Sequence, residues 1–307
     1  QTSYTINPTD DLEEGTEYYV QIAATAFDDV DGKSFAGISD TTTLSFTTID
    51  ETAPTIAITS DATSLKAGDT TTVTFTLSEA STDFIEDDIS VSGGELSNFA
   101  ASSSTVYTAT FTPTALSTTN GVISVASSKF SDSAGNENAD GSEDNNSLTL
   151  SIDTVLPTLE SSTPADNATA VATDSNIVLN FSEAVNVGNG NIVIYKASDD
   201  SEVETFNVAS SGLISGSGST QITINPSSDL EEQTEYYVQI AATAFDDVNG
   251  NSFAGISDTT TLSFTTADET APTIVITSDA SSLEAGETTT VTFTLSEAST
   301  DFVEDDI

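Results

Sequence analysis

The chain has 307 residues, 50 Asp plus Glu against 4 Lys plus Arg, a formal charge of −46, and no Cys, His, Met or Trp. That balance argues against nucleic-acid partners and anionic membrane surfaces, which need clustered cations, and excludes disulfides, Cys- or His-based metal centres and Ser-His-Asp or Cys-His catalysis. Metal chemistry is left with hard oxygen ligands suited to Ca²⁺ or Mg²⁺, and no apolar run approaches the roughly 20 residues of a membrane span. The charge has a plainer use as well, since many carboxylates keep a long protein soluble in salty water. No signal peptide opens the chain, so any targeting signal is expected outside this segment.

In chain order, residues 1–49 read as the C-terminal half of a module, here called A. Its stretch "EYYVQIAATAFDDV" at 17–30 returns letter for letter at 235–248. Residues 1–89 align with 219–307 without a gap at an offset of 218, with 14 mismatches in 89 positions, most of them mild (Thr63/Ser281, Asp69/Glu287, Ile85/Val303). A period of that length is too long for a solenoid unit and fits two domains of about 100 residues each. Similar linkers mark the boundaries: "TTIDETAPTI" at 47–56, "SIDTVLPTLE" at 151–160 and "TTADETAPTI" at 265–274. In each, an acid and a Pro precede a new apolar alternation, and Pro forbids continuation of the preceding ladder. The reading is therefore module B over 50–152, module A over 153–267, and the N-terminal part of a second B module over 268–307. The end pieces belong to different module types, so the segment is expected to be a window on a longer array of neighbouring modules.

Strands are expected in B at 55–60, 71–78, 105–113, 121–127 and 147–153, and in A at 176–182, 191–196, 202–208, 221–226, 235–243 and 260–266. Val73, Phe75 and Leu77 alternate with Thr72, Thr74 and Thr76, the pattern of a sheet with one buried face. Gly-, Asn-, Asp- and Ser-rich turns separate the runs, and no stretch holds a helical period. Short strands at this density make the chain all-β, a series of tandem immunoglobulin-like β-sandwich modules in an elongated array. A Tyr at the start of the penultimate strand, in "DLEEQTEYY" (229–237), fits the tyrosine corner of such sandwiches. Tyr236 or Tyr237 would fill it, and Tyr18 or Tyr19 in the other copy.

The "TAPT" linkers, the run "TFTLSEAS" to "VSGGELSNF" in B (74–99), "DSAGN" (132–136), and "FSEAV" to "YYVQIAATAFDDVNGNSF" in A (181–253) resemble bacterial Ig-like repeats. The resemblance covers essentially the whole chain. Such repeats occur in large secreted or surface-anchored adhesins, so it implies an extracellular location.

If successive strands alternate direction, up and down, the linker, the loop after the second strand and the loop before the last strand share one pole. In B they bring Asp50 and Glu51, then Glu79 of "LSEAS", then Asp132 and Asn136. In A they bring Asp153, then Glu183 of "FSEAV", then Asp246, Asp247 and Asn249 of "FDDVNGN", with "AFDDV" read as a strand running up to that pole. The partial B module repeats the set with Asp268, Glu269 and Glu297. Converging carboxylates repel unless a charge offsets them. Ca²⁺, which takes six to eight oxygens in loose geometry, suits them better than Mg²⁺. The competing reading is that Asp-Gly-Asn turns recur because they turn well, and that these acids are solvated loops. The acidic run "NENADGSEDNN" (136–146) reads as a loop and lacks the EF-hand spacing.

The function implied is structural: an extender or spacer region of a long extracellular surface adhesin, its modules stiffened by calcium at their junctions. The alternative is a self-assembling filament or surface layer in which copies of the chain contact each other through strand edges such as "TTTVTFT". Carbohydrate sites favour aromatics, which are scarce here, and the Thr-x-Thr runs read as solvent faces rather than an ice-binding surface. Acids repeated at junctions rather than gathered in one pocket do not read as an enzyme. "NAT" (167–169) and "NNS" (145–147) fit the glycosylation triplet without further support.

Overall fold

Apolar residues at every second position force this chain into strands, because only an extended backbone puts them on one face. The computed structural model describes residues 2–139 and 144–307. The chain divides into two units, residues 1–156 and 157–307. Residues 140–143, inside the acidic run at 136–146, lie outside the described residues.

Unit 1 opens with β1 (Glu17–Tyr19) and β2 (Ser45–Thr47), an antiparallel pair that sets Tyr18 opposite Phe46. Next come β3 (Ile56–Ser60), β4 (Ser64–Lys66), β5 (Thr71–Leu77), β6 (Ile89–Ser92), β7 (Gly94–Ala101), β8 (Val106–Pro113), β9 (Gly121–Val125) and β10 (Ser147–Asp153). They form two four-stranded sheets, ordered β3-β5-β8-β7 and β4-β10-β9-β6. Val73, Phe75, Phe111, Ile123 and Leu150 are fully buried in the core that these strands share.

The order is not up-and-down. The first strand splits into β3 and β4, one in each sheet, and β4 runs parallel to β10. The split is held by side chains at the kink: Ser60 Oγ donates to the Ala62 carbonyl, and the Ala62 N–H donates to Thr71 Oγ1. The expected pole survives all the same. Ile56 at the start of β3 faces Leu77 at the end of β5, and Ser147 at the start of β10 faces Ser124 near the end of β9.

Unit 2 contains β11 (Leu159–Thr163), β12 (Ala168–Val171), β13 (Ile177–Val187), β14 (Asn191–Lys196), β15 (Glu202–Asn207), β16 (Ile214–Ser215), β17 (Ser219–Ile224), β18 (Glu235–Ile240), β19 (Phe245–Asp247) and β20 (Ser263–Thr266). One sheet runs β11-β13-β17-β16, with β19 also on β13; the other runs β12-β20-β18-β14-β15. Between them lie Ile177, Leu179, Ile192, Phe206 and Tyr236, all fully buried. The start of the second B module adds the hairpin β21 (Ile274–Ser278) and β22 (Val291–Leu295).

Two expectations change here. "FSEAV" is not a loop: β13 carries through it, with a register shift between Asn180 and Val185. The strand can continue because β19 supplies a new partner, pairing Val185 with Asp247. "AFDDV" does form a strand, β19, as expected, but the strand before it ends at Ile240 rather than running to residue 243. The chain turns after Ile240, where the Ala244 N–H donates to the Ala241 carbonyl, and crosses from the sheet of β18 to that of β13.

The tyrosine corner is present and resolves to the first tyrosine of each pair. The backbone N–H of Glu231 donates to Tyr236 Oη at 2.9 Å, and that of Glu13 donates to Tyr18 Oη at 2.9 Å. Tyr237 instead stacks on Tyr195, ring centroids 5.0 Å apart, and its hydroxyl donates to Asp200.

Candidate metal centre

In unit 1 the linker, the turn after β5 and the loop between β9 and β10 bring one carboxylate each to the same spot. Ligand oxygens of Asp50, Glu79 and Asp132 lie within 4.8 Å of one another. Asp50 is set by its own Asx turn, accepting the Thr52 N–H at 3.2 Å. Glu79 comes directly after β5, where the Ser78 N–H is tied to the Thr55 carbonyl.

Asp132 organises its loop. Its Oδ1 accepts the N–H groups of Ala134, Gly135 and Asn136 at 2.8, 2.7 and 2.9 Å. Asn136 Nδ2 donates to Asp132 Oδ2 at 2.8 Å and to the Asp50 carbonyl at 3.1 Å. Asn136 thus joins linker and loop. A further brace was not foreseen: Asp83 accepts the N–H and Oγ of Ser131 and the Oγ of Ser81, locking the β5–β6 loop to the β9–β10 loop. A β-bridge between Ser81 and Asp132 runs beside it.

The electrostatics match the crowding. Burial pushes the Glu79 carboxyl above its ordinary range, and the charges of Asp50, Asp132 and Glu14 push it further. Burial also raises Asp132, but its hydrogen bonds from Asn136, Gly135 and Ala134 outweigh that and hold it low. One carboxylate is therefore stabilised as an anion by its loop, while its neighbour resists ionising beside it. A hard divalent cation accepting oxygens from all three would relieve that conflict.

Module A shows the same loop chemistry within unit 2. Buried Asp247 accepts the N–H groups of Asn249 and Asn251 at 2.8 Å each, and Asn251 Nδ2 at 2.8 Å. Glu183 lies on β13, two residues before Val185, which pairs with Asp247. Asn251, with 2% exposure, stands where Asn136 does, and sequence reading passed over it in favour of Asn249, which contributes its backbone N–H. The signal was there, since "DSAGN" and "DVNGN" share the spacing Asp-x-x-Gly-Asn. Asp246, adjacent in a strand, faces the other way and accepts Ser252 Oγ.

The remaining expected ligands sit in linkers or in the partial module. Asp153 closes β10 and accepts the Val155 N–H, the same Asx turn as Asp50. Glu51 donates its N–H to Glu14, and Asp268 accepts the Thr270 N–H and Gln233 Nε2. Glu269 binds Thr173. Glu297 is half-buried after β22, and no residue of the chain stands where Asp132 would fall in that copy.

Two family models, each described as a bacterial Ig-like domain, match the chain in alternation. One matches residues 50–150 and 268–307, the other residues 153–266. The chain belongs to the bacterial Ig-like domain proteins and is an array of two such domain types. No curated protein matches its sequence. Among solved structures it is similar to FdeC, an adhesin of Escherichia coli, with 16% identity over 78% of this chain and 71% of that one and a TM-score of 0.41. Similarity to the Yersinia pseudotuberculosis adhesin InvE has 15% identity over 66% of this chain and 59% of that one, with a TM-score of 0.28. For the I9–I11 tandem of titin the values are 8%, 87%, 86% and 0.25.

Proposed function

We propose that this chain is an extender region of a long extracellular surface adhesin, a spacer whose Ig-like modules are stiffened by Ca²⁺ at their junctions. The observation that carries the reading is the convergence of Asp50, Glu79 and Asp132 at the pole where a linker enters its module. By sequence, Asp153, Glu183 and Asp247 are the same set for module A: a linker acid, an acid after the second apolar run and the first residue of an Asp-x-x-Gly-Asn loop. Near-identity of 1–89 and 219–307 supports a spacer, where number of modules matters more than any single one. The reading assigns the chain no catalysis.

Extracellular calcium modules bind with Kd of about 10⁻⁴ to 10⁻³ M, so such sites fill outside a cell and stay empty inside it. A cation held by linker and loops together fixes the hinge. At a hundredfold excess over Kd each site adds about 2.7 kcal/mol to module stability. The test is thermal unfolding of residues 50–267 in millimolar Ca²⁺ and then in excess chelator at fixed ionic strength. A rise in melting temperature that tracks calcium, and that Asp153→Ala with Glu183→Ala reduces, supports the reading. Superimposable curves overturn it. Negative-stain images of lattices or fibres rather than single particles would favour the self-assembling filament instead.

A further inference from the structure

The linkers into the two module types share an acid and a proline but differ in the two residues after the acid. Asp50 and Asp268 precede Glu-Thr, whereas Asp153 precedes Thr-Val. In unit 2, module A holds the Glu-Thr pair directly. Thr270 Oγ1 donates to the Glu232 carboxylate at 2.7 Å, and the Glu269 carboxylate accepts the hydroxyl and N–H of Thr173 at 2.7 and 3.2 Å. Gln233 Nε2 donates to Asp268 at 2.8 Å. Unit 1 repeats part of this: Thr52 Oγ1 and the Glu51 N–H donate to Glu14 Oε2 at 2.8 and 3.3 Å.

Module B has no equivalent surface. Its corresponding corner, "TALSTTN" (114–120), carries no acid. There the Thr154 hydroxyl turns inward, donating to the Thr114 carbonyl and accepting the Ser117 N–H. Thr266 caps the corner of module A in the same way, donating to the Glu231 carbonyl and accepting the Thr234 N–H. Counted from these matching threonines, Pro272 lies six residues on and Pro157 three. The linker into B is longer by three residues, the number that make the contacts.

We propose that the pole of module A built from Thr173, Glu232 and Gln233 is a docking surface selective for a linker of sequence Asp-Glu-Thr, one that a linker of sequence Asp-Thr-Val cannot satisfy. A Thr-Val linker at that pole would supply neither the hydroxyl that Glu232 accepts nor the carboxylate that Thr173 requires, which is discrimination by unpaired polar groups. The docking uses hydrogen bonds of the chain alone; because Asp268 and Glu269 are also expected cation ligands, it is tested with any cation removed.

The test is amide hydrogen exchange of the full 307-residue chain in excess chelator at fixed ionic strength, read at Ala267 and Thr270, whose N–H groups donate to the Val171 carbonyl and to Asp268. In the wild type these amides are expected to exchange slowly. Glu269→Thr with Thr270→Val should speed them roughly tenfold or more, the loss of hydrogen bonds to charged groups, and Thr173→Val should speed them less. Unchanged protection of β18 in both variants shows that the module is still folded. Wild-type linker amides already exchanging as in an unstructured peptide, or variants that exchange as slowly as wild type, would overturn the proposal.

Discussion

The paired acids of "FDDV" allow a sharp test, because adjacent residues of one short strand are given opposite duties. Asp247 accepts at least three donors, and two of them, the N–H and Nδ2 of Asn251, belong to a residue with 2% exposure. Asp247→Ala removes the carboxylate from this buried turn, so a loss of at least about 1–3 kcal/mol is expected. The third donor, the Asn249 N–H, belongs to an exposed residue and turns to water at little cost. Against a typical domain stability of roughly 5–15 kcal/mol, that loss is a large fraction of what holds module A together. Asp246→Ala removes one hydrogen bond, from Ser252 Oγ at a partly exposed position, and should cost under about 1 kcal/mol. The assay is urea unfolding of residues 153–307 monitored by far-ultraviolet circular dichroism, in chelator so that no cation contributes. Equal losses for the two alanine variants would refute the assignment of the turn to Asp247 alone.

Glu79→Gln is expected to raise the melting temperature of unit 1 in chelator by a few degrees, by removing a half-buried, crowded charge, and to abolish any gain from calcium; a fall in chelator would contradict the raised Glu79 carboxyl. The pH profile has the same signs behind it. Glu79 is raised in the fold, so in chelator stability should grow as pH drops from neutral toward the ordinary carboxylate range; Asp132 is held low, so stability should fall as pH passes down through its lowered value. Glu79→Gln should erase the first limb and keep the second. Tyr236→Phe removes the hydroxyl to which the Glu231 N–H donates and should cost about 0.5–1.5 kcal/mol in the same urea assay. Tyr237→Phe gives up only a hydroxyl contact to Asp200 at the surface, and its unfolding midpoint should stay near that of wild type.

Strand existence was legible wherever alternation ran over five residues or more; β10 and β14 match their expected spans to the residue. Strands that escaped notice lack a run of apolar residues at every second place. β4 is three residues long with Leu65 alone buried, and β7, "GELSNFAA", has a bulge between Ser97 and Ala100 that breaks its period. The role of "FSEAV" could not be read locally, because its strand character comes from β19, some sixty residues away, and not from its own sequence. The acids at the pole were legible by loop position. Asn251 was legible too, in the Asp-x-x-Gly-Asn spacing it shares with Asn136, but was passed over; Asp83, which ties Ser81 to Ser131, and Thr173, which meets Glu269 96 residues on, were not, since each is defined by what it touches across the fold.

The repeat separates what the sequence specifies locally from what requires the whole module. Residues 17–47 and 235–265 carry nearly the same sequence, and both form the same hairpin, Tyr18 opposite Phe46 and Tyr236 opposite Phe264. Both form the tyrosine corner at 2.9 Å, and both fold the acidic loop, Asp29 accepting the N–H groups of Asp31 and Lys33 as Asp247 accepts those of Asn249 and Asn251. Burial draws on more of the chain: in the second copy Phe264 is 2% exposed and Phe245 is fully buried, because strands β11 to β17 cover them. Corner, hairpin and loop are thus written into about thirty consecutive residues, while the apolar contacts that stabilise the module are long-range. The Asp-x-x-Gly-Asn turn belongs to the local set, whereas the Glu269–Thr173 contact joins residues 96 apart and needs the whole module. An array can therefore vary its core strands from one module type to the next and still fold the same Asp-x-x-Gly-Asn turn in each, provided that the loop keeps its spacing.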